Sequence, residues 1–259
     1  MIEEQKITNT RGLKLSVILS TPQNIDKFPI ILLLQGFLGK KDGVKLNSLS
    51  EKLVANGFAT IRFDYAGYGK SEGDTQKEYL ISKIINDVDF VLDYIKSLDK
   101  FDTSNIGFWG QSMGGMIAII ATSLHPEIKA ICTVSSPSTI TLNDDLEKKI
   151  VEWKKLGFLE RFNSNGDLIK VTYKFVEDAR NWNAQKSVKH IKSPKLFIVG
   201  TADKTVAPSI TKGIFESATG TKKLLEISNM PHEYNEQLKF IEEINETSVD
   251  FFKKYLTKI

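Results

Sequence analysis

The sequence lacks the features that several classes of protein require. A single cysteine among 259 residues excludes a disulfide within the chain, which is expected in a reducing compartment. Seven prolines and 17 glycines are too few for a collagen-like or low-complexity chain. No apolar run approaches the roughly 18 residues that a membrane-spanning helix needs. These absences predict a soluble globular protein with no membrane span.

Charge and metal-binding patterns are equally sparse. The chain has 35 basic and 32 acidic residues and no long block of lysine and arginine, so we expect no nucleic-acid partner. No cluster of cysteine and histidine occurs and no dinucleotide glycine motif follows a strand, so we expect neither a metal nor a cofactor. Two acidic residues within positions 1–6 argue against a signal peptide and favour a cytoplasmic location. The oligomeric state stays open, a homodimer included.

Strand-like and helix-like segments alternate along most of the chain. This pattern predicts an α/β fold with a mostly parallel central sheet and helices on both faces. Residues 6–9 and 13–20 form a predicted antiparallel hairpin, and the apolar run 29–34 is typical of a central strand. Further strands are predicted at 59–63, 105–109, 129–134, 195–199 and 223–227. Helices are predicted at 48–56, 78–98, 116–124, 209–217 and 237–256.

Two helix starts carry capping-box patterns, which pair Ser48 with Glu51 and Thr75 with Glu78. Residues 138–193 then interrupt the alternation. We therefore expect a core formed by residues 1–137 and 194–259, with 138–193 inserted as a separate segment. Within it, 142–156 and 175–182 have helical spacing, and Asn165-Gly166 indicates a hairpin between Phe162 and Ile169.

The sequence Gly110-Gln111-Ser112-Met113-Gly114 fits the G-x-S-x-G pattern of an exposed nucleophilic serine. Small residues let the chain turn sharply at the tip of a strand. The preceding residues are strand-like and the following ones helix-like, as the motif requires. The alternative reading is that Ser112 is merely a small residue in a tight turn.

A serine hydroxyl needs a base to take its proton and a carboxylate to orient that base. Three histidines are present. His125, at a helix end, and His190, at the end of the inserted segment, are predicted to be surface residues. His232 follows the strand predicted at 223–227, and Asp203 follows the strand at 195–199, so both lie at the carboxyl edge of the sheet, where ligands bind in such folds. We therefore expect catalysis by Ser112, His232 and Asp203.

An oxyanion that forms during acyl transfer needs hydrogen-bond donors. Two backbone amides are predicted to supply them, that of Met113, which follows the serine, and that of Phe37, in the loop after the strand at 29–34. The glycines at 36 and 39 give that loop the freedom to aim an amide inward, although they fit a plain tight turn equally well.

Taken together, these motifs resemble the serine α/β-hydrolase superfamily over residues 6–257. Gln35-Gly36-Phe37-Leu38-Gly39 is similar to its H-G-F-x-G loop, and residues 64–73 resemble its D-x-x-G-x-G-x-S-x-G loop. Residues 200–208 are similar to G-x-x-D-x-x-V-x-P, and the chain order serine, aspartate, histidine is that of the family. Within the superfamily, the chain looks most like bacterial cinnamoyl or feruloyl esterases and monoacylglycerol-lipase-like carboxylesterases. Gln35 and Gln111 depart from the family, because each stands where histidine is usual.

The resemblance implies a serine carboxylesterase that acts on a small-molecule ester, including hydroxycinnamoyl or short to medium acyl esters. Amidase, peptidase, thioesterase and acyltransferase reactions would use the same residues. A ligand-binding protein with an idle triad is the alternative outside enzymes.

By the same resemblance, residues 138–193 form a cap over the triad. The segment carries 11 basic and 8 acidic residues, which fits either a weak preference for anionic substrates or a solvated helix face of Lys148, Lys149, Lys154 and Lys155. Its aromatic residues fit either an acyl site or packing of the cap itself; they are Trp153, Phe158, Phe162, Tyr173, Phe175 and Trp182. Cys132 is predicted to be inert core.

Overall fold

The computed structural model describes residues 1–23, 27–140, 144–162 and 167–257. Eight strands form one sheet: β1 (Ile2–Thr8), β2 (Lys14–Ser20), β3 (Phe28–Leu34), β4 (Ala59–Phe63), β5 (Phe101–Gln111), β6 (Ala130–Val134), β9 (Lys195–Gly200) and β10 (Lys222–Ile227). Two more, β7 (Phe158–Phe162) and β8 (Leu168–Thr172), pair with each other in a separate antiparallel ribbon.

The order of the large sheet is β1-β2-β4-β3-β5-β6-β9-β10. Only the β1–β2 and β2–β4 pairs are antiparallel, and every other pair is parallel. The predicted N-terminal hairpin and mostly parallel sheet are therefore confirmed. Because β3, β5, β6, β9 and β10 run in the same direction, the loops that follow them lie at one edge of the sheet.

The structure describes nine helices, some of which cover the two faces of this sheet. They are α1 (Val44–Ala55), α2 (Thr75–Glu78), α3 (Ile81–Lys96), α4 (Met113–Leu124), α5 (Asp144–Leu156), α6 (Lys174–Ala179), α7 (Ala184–Ser187), α8 (Pro208–Ser217) and α9 (Leu238–Leu256), with a 3-10 turn at Val188–His190. No helix among the described residues is long and apolar enough to cross a membrane.

Successive side chains of β3 point to opposite faces of the sheet and join a different apolar cluster on each, as expected for a strand covered on both sides. Ile30, Leu32 and Leu34 belong to the apolar cluster that includes the buried faces of α3 and α4. Ile31 and Leu33 belong to the cluster that includes the buried residues of α1 and α9. The central strand is therefore held from both sides.

Both predicted capping boxes are wrong. Helix α1 begins at Val44 with Gly43 as its N-cap, so Ser48 lies inside the helix, where its hydroxyl accepts a hydrogen bond from Asn245. The second box fails because Asp74 caps α2 with its carboxylate, while the hydroxyl of Thr75 donates to the carbonyl of Gly67.

The helix predicted at 78–98 is interrupted at Tyr79 and Leu80, which separate α2 from α3. Tyr79 is fully buried and its hydroxyl accepts a hydrogen bond from the amide of Leu38. A contact between distant parts of the chain thus overrides the local helical periodicity.

The segment 138–193 contains α5, the β7–β8 ribbon, α6 and α7. Helix α6 ends at Ala179, three residues earlier than the predicted helix. The predicted hairpin is confirmed by the pairing of Phe162 with Leu168, although Asn165 and Gly166 themselves lie outside the described residues. That the segment forms a separate cap stays a prediction.

Candidate active site

Ser112 lies at the sharp turn between β5 and α4. Its φ of 53° falls in the left-handed region, which is rare for a residue other than glycine. The turn depends on close backbone approach, since a Cβ at Gly110 would collide with the carbonyl of Gly114, and a Cβ at Gly114 with that of Leu34. The amide of Ser112 donates to the carbonyl of Val134 at 2.9 Å. The glycines therefore allow the turn, and the neighbouring strand β6 holds its apex.

Three side chains from three strand ends meet at this turn. Nε2 of His232 lies 3.0 Å from Oγ of Ser112, and Nδ1 of the same ring lies 2.8 Å from Oδ2 of Asp203. These distances are within hydrogen-bond range for a nucleophile, a base and the group that orients the base. The structure thus brings together the three residues that the sequence singled out.

Both carboxylate oxygens of Asp203 have hydrogen-bond partners. Its other oxygen, Oδ1, accepts hydrogen bonds from the amides of Thr205 and Val206 at 2.9 and 2.8 Å. Burial opposes the charge, but the hydrogen bond and charge of His232 and the amide of Val206 outweigh it, so the pKa of Asp203 is lowered. The carboxylate is therefore ionised near neutral pH, with its other oxygen facing the histidine ring.

The two predicted oxyanion amides lie in the same region. Within the described part of the chain, neither the amide of Phe37 nor that of Met113 donates a hydrogen bond to another protein group. Phe37 and Ser112 line both of the cavities at this site. Two amides next to the serine are thus available to a ligand.

Three tyrosines hold the loop that carries Phe37. Tyr65 donates from its hydroxyl to the carbonyl of Gln35 at 2.9 Å, and Tyr68 donates to the carbonyl of Leu38 at 2.7 Å. The hydroxyl of Tyr79 accepts from the amide of Leu38, also at 2.7 Å. Leu38 has a φ of 54°, so these contacts fix a strained backbone. Sequence reasoning missed this tyrosine cluster, because no local pattern ties these residues to the loop.

The two glutamines that depart from the family pattern have structural contacts. Gln35 is buried and donates from Nε2 to the carbonyl of Phe63 at 2.8 Å. Gln111 donates from Nε2 to the carbonyl of His232 at 3.4 Å. The first fixes the start of the Phe37 loop, and the second connects the serine turn to the histidine loop.

Two cavities of different character meet at Ser112. The larger, about 590 Å³, contains His232 and charged side chains at its wall. The smaller, about 260 Å³, is lined mainly by apolar residues, among them Met113, Met116, Ile150, Trp153 and Phe175. Of the six aromatic residues predicted for an acyl site, only Trp153 and Phe175 line this cavity. The site therefore has a polar side and an apolar side.

The remaining singled-out residues lie elsewhere. His190 is exposed, and His125 pairs with Asp89 at 2.8 Å, so neither contacts Ser112. Cys132 is buried, and burial raises the pKa of its thiol to about 12, as expected for inert core. Lys148, Lys154 and Lys155 are exposed, as predicted for a solvated helix face. Lys149 is exposed as well, but it also reaches the wall of the apolar cavity.

Comparison with known proteins agrees with the fold. A family model described as the alpha/beta hydrolase fold matches residues 29–188, well over half of the chain. The chain belongs to the α/β-hydrolase fold family. The predicted fold class and the resemblance to this family are therefore confirmed.

Individual proteins match over different shares of the chain. An uncharacterized 31.7 kDa protein from the traX-finO intergenic region of Escherichia coli is 25% identical over 91% of this chain and 94% of its own length. Human mitochondrial palmitoyl-protein thioesterase ABHD10 is 30% identical over 60% of this chain and 50% of its own. Est1E of Butyrivibrio proteoclasticus, solved with ferulic acid, has a TM-score of 0.79 at 24% identity and covers 95% of this chain and 98% of its own. At that identity, the likeness to Est1E establishes the fold.

Proposed function

We propose that this α/β-hydrolase is a serine carboxylesterase. The observation that carries the proposal is the continuous contact from Asp203 through His232 to Ser112, with distances of 2.8 and 3.0 Å at the carboxyl edge of the sheet. Membership of a hydrolase family with thioesterase and esterase-like relatives supports it.

In the first half of the reaction, Oγ of Ser112 attacks the ester carbonyl while Nε2 of His232 takes the hydroxyl proton. The carbonyl oxygen becomes an oxyanion, which the amides of Phe37 and Met113 stabilise. Asp203 keeps Nδ1 of His232 protonated and stabilises the imidazolium that forms. When the C–O bond breaks, His232 gives this proton to the leaving alkoxide oxygen, so that an alcohol departs and an acyl group stays on Ser112.

In the second half, water replaces the alcohol. His232 takes a proton from this water as it attacks the acyl carbonyl, and the same two amides stabilise the second oxyanion. The proton then passes to Oγ of Ser112, which releases the carboxylic acid and restores the free serine. The net reaction consumes one water and needs no cofactor.

The apolar cavity favours an acyl group of limited size. At about 260 Å³ it is smaller than most drug-sized ligand sites, and Trp153 and Phe175 supply flat aromatic walls. A hydroxycinnamoyl group or a short to medium acyl chain fits this description. The ferulic acid bound to Est1E supports the aromatic choice.

Thioester hydrolysis is the second candidate, because ABHD10 is a palmitoyl-protein thioesterase. The same triad would cleave a C–S bond, and a thiolate leaves more readily than an alkoxide. Thioesters therefore belong in any test of this protein.

The experiment is hydrolysis of chromogenic esters with acetyl, butyryl, octanoyl, palmitoyl and feruloyl groups, together with the matching butyryl and palmitoyl thioesters. Wild type is compared with Ser112→Ala. Ser97→Ala is the control, since Ser97 is exposed at the end of α3 and lines neither cavity.

Turnover of an ester that disappears in Ser112→Ala and persists in Ser97→Ala would support the proposal. Preference for a thioester over the ester of the same acyl group would favour the second candidate. Tight binding without turnover by the folded protein would instead indicate a ligand-binding protein. The cytoplasmic location and the homodimer stay predictions from the sequence.

A further inference from the structure

Lys45 lies at the wall of the larger cavity, and its positive charge has only one exposed carboxylate nearby to balance it. Lys45 extends from the first turn of α1, and its side chain is only 16% exposed. Its ammonium lies 3.5 Å from a carboxylate oxygen of Glu233 and 4.5 Å from the centre of the Tyr234 ring. The Glu233 side chain is 73% exposed, so water screens this ion pair.

The charge of Lys45 therefore has little to offset the loss of its hydration. Burial lowers the pKa of Lys45 even though Glu233 acts in the opposite direction. A partly desolvated ammonium with an incomplete set of acceptors gains from a further anionic partner, and the hydrogen bond it would form is of the strong, charge-assisted kind.

The position of Lys45 relative to the triad indicates which part of a substrate it faces. His232 must reach the leaving atom to protonate it, so the leaving group lies on the histidine side of Ser112. His232 lines the larger cavity and not the smaller one, whereas Met113 lines only the smaller. Lys45 lines the larger cavity and therefore faces the leaving group.

We propose that the leaving group of the natural substrate carries a carboxylate or a phosphate, and that Lys45 binds this anion in the cavity beside His232. The inference rests on the proposed ester hydrolysis and specifies its substrate class. The substrate is then an acyl ester of an anionic alcohol, with an apolar acyl end and a charged leaving end.

The other charges of the cavity fit this assignment. Among the described residues that line it, Lys40 and Lys45 are the basic side chains and Glu233 is the acidic one. Nδ2 of Asn235 donates to the carboxylate of Glu233 at 3.3 Å, which gives that oxygen a partner other than Lys45.

A structural role for Lys45 makes a different prediction. The ion pair joins α1 to the residue after His232, so Lys45 could simply fix the histidine loop. Loss of such a tether would lower the rate for every substrate equally. Loss of an anion site would change the ratio between charged and neutral substrates.

The test uses butyryl esters that differ in the leaving group. The neutral substrates are 1-butyrylglycerol and methyl O-butyrylglycolate. Their anionic counterparts are 1-butyrylglycerol 3-phosphate and O-butyrylglycolate, so that each pair differs by one anionic group, and butyrate release is the quantity measured. We expect wild type to prefer at least one anionic ester by about tenfold or more in kcat/KM. Raising the ionic strength from about 0.02 M to about 0.5 M should weaken that preference.

Variants test whether Lys45 causes the preference for anionic esters. Lys45→Gln should reduce the ratio of anionic to neutral kcat/KM by about tenfold, Lys45→Arg should retain most of it, and Glu233→Gln should increase it. The matched control is Lys212→Gln, because Lys212 pairs with Glu226 at 2.7 Å and lines neither cavity. This control should leave both the activity and the ratio unchanged.

The outcomes separate this inference from the proposed function. Hydrolysis of the neutral esters by Ser112→Ala would refute the serine mechanism itself. Serine-dependent hydrolysis with no preference for either anionic ester would overturn the inference alone, as would equal losses for charged and neutral substrates in Lys45→Gln. If Lys45→Gln does not fold, the preference of wild type for an anionic ester and the dependence of that preference on ionic strength still test the inference. A preference confined to one pair identifies the anion as phosphate or carboxylate.

Discussion

The ends of β5, β6 and β9 differ sharply from the β7–β8 ribbon in how they are held. The residues of β6 and β9 and the last six of β5 are buried, and the chain presents Ser112 directly after β5 and Asp203 directly after β9. In contrast, most of β7 and β8 is exposed or half-buried. Two of the three proposed catalytic residues therefore follow buried strands, which we call the frame, whereas part of the apolar cavity wall comes from the segment 138–193, which contains the ribbon.

Aromatic contacts connect the segment 138–193 to the loop that carries Phe37 and to Tyr79. Phe175 of the segment lies 5.2 Å from the ring of Phe37, 5.8 Å from that of Tyr79 and 5.9 Å from that of Trp153, measured between ring centres. Changes in the frame should therefore alter the rate for every acyl group. Changes in the segment should alter which acyl group is preferred.

The largest effect is expected for Ser112→Ala, which removes the nucleophile from the frame. Hydrolysis of all esters should fall by about 10⁶-fold in kcat, with no change in the order of acyl preference in any residual activity. Steady-state kinetics on the ester panel checks this. A residual rate above about 1% of wild type would show that another group attacks the carbonyl.

Asp203→Asn should lower kcat by about 10⁴-fold, because the amide no longer holds the protonated Nδ1 of His232. KM should change little, since Asp203 lines neither cavity. The measurement is a determination of KM and kcat. Asp102→Asn is the control, because Asp102 lies at the opposite end of β5 from Ser112. A loss below tenfold would contradict the assigned role of Asp203.

Tyr79→Phe tests how the loop that carries Phe37 is held in place. Removal of the hydroxyl takes away the acceptor for the amide of Leu38, which loosens the Phe37 loop, so kcat should fall by about tenfold with KM nearly constant. Tyr94→Phe is the matched control, because its hydroxyl accepts a 2.7 Å hydrogen bond from Gln5 away from the site. An effect on KM and not on kcat would assign Tyr79 to substrate binding instead of loop positioning.

Trp153→Leu should change acyl preference more than overall rate, because the indole lines the apolar cavity. The ratio of kcat/KM for octanoyl to that for acetyl esters should rise by about tenfold. Trp182→Leu serves as the control within the same segment, since Trp182 does not line the cavity. If both variants shifted the ratio equally, the apolar cavity would not be the acyl site.

The smallest effect concerns stability. Asp89, followed by Glu127, raises the pKa of His125 above 6.5, while burial opposes the shift. A raised folded-state pKa stabilises the protein fully below 6.5, and this contribution is lost as the pH rises through the folded value. His125→Gln should therefore cost about 0.5 kcal/mol more at pH 5.5 than at pH 8.5 in urea unfolding, since the site is partly exposed. Ester hydrolysis should not change, because His125 lies at the far end of α4.

Residues with local patterns were predictable from the sequence. The glycine-flanked Ser112, the strand-end positions of Asp203 and His232, and the alternation of strands and helices depend on neighbours in the chain. The tyrosine cluster, the break at Tyr79 and the placement of Lys45 depend on contacts across about 30 to 190 positions. Such contacts leave no periodic signal. The start of α1 was misplaced for a similar reason, because Gly43 caps the helix with its backbone and Ser48 bonds Asn245 instead.

Covalent labelling of the serine tests the central claim most directly. A fluorophosphonate probe should add one equivalent to wild type, and peptide mass spectrometry should locate it on Ser112. The probe should fail to label Ser112→Ala, and it should react much more slowly with His232→Ala, which keeps the serine but lacks its base. Labelling at another residue, or equal labelling rates with and without His232, would contradict the account.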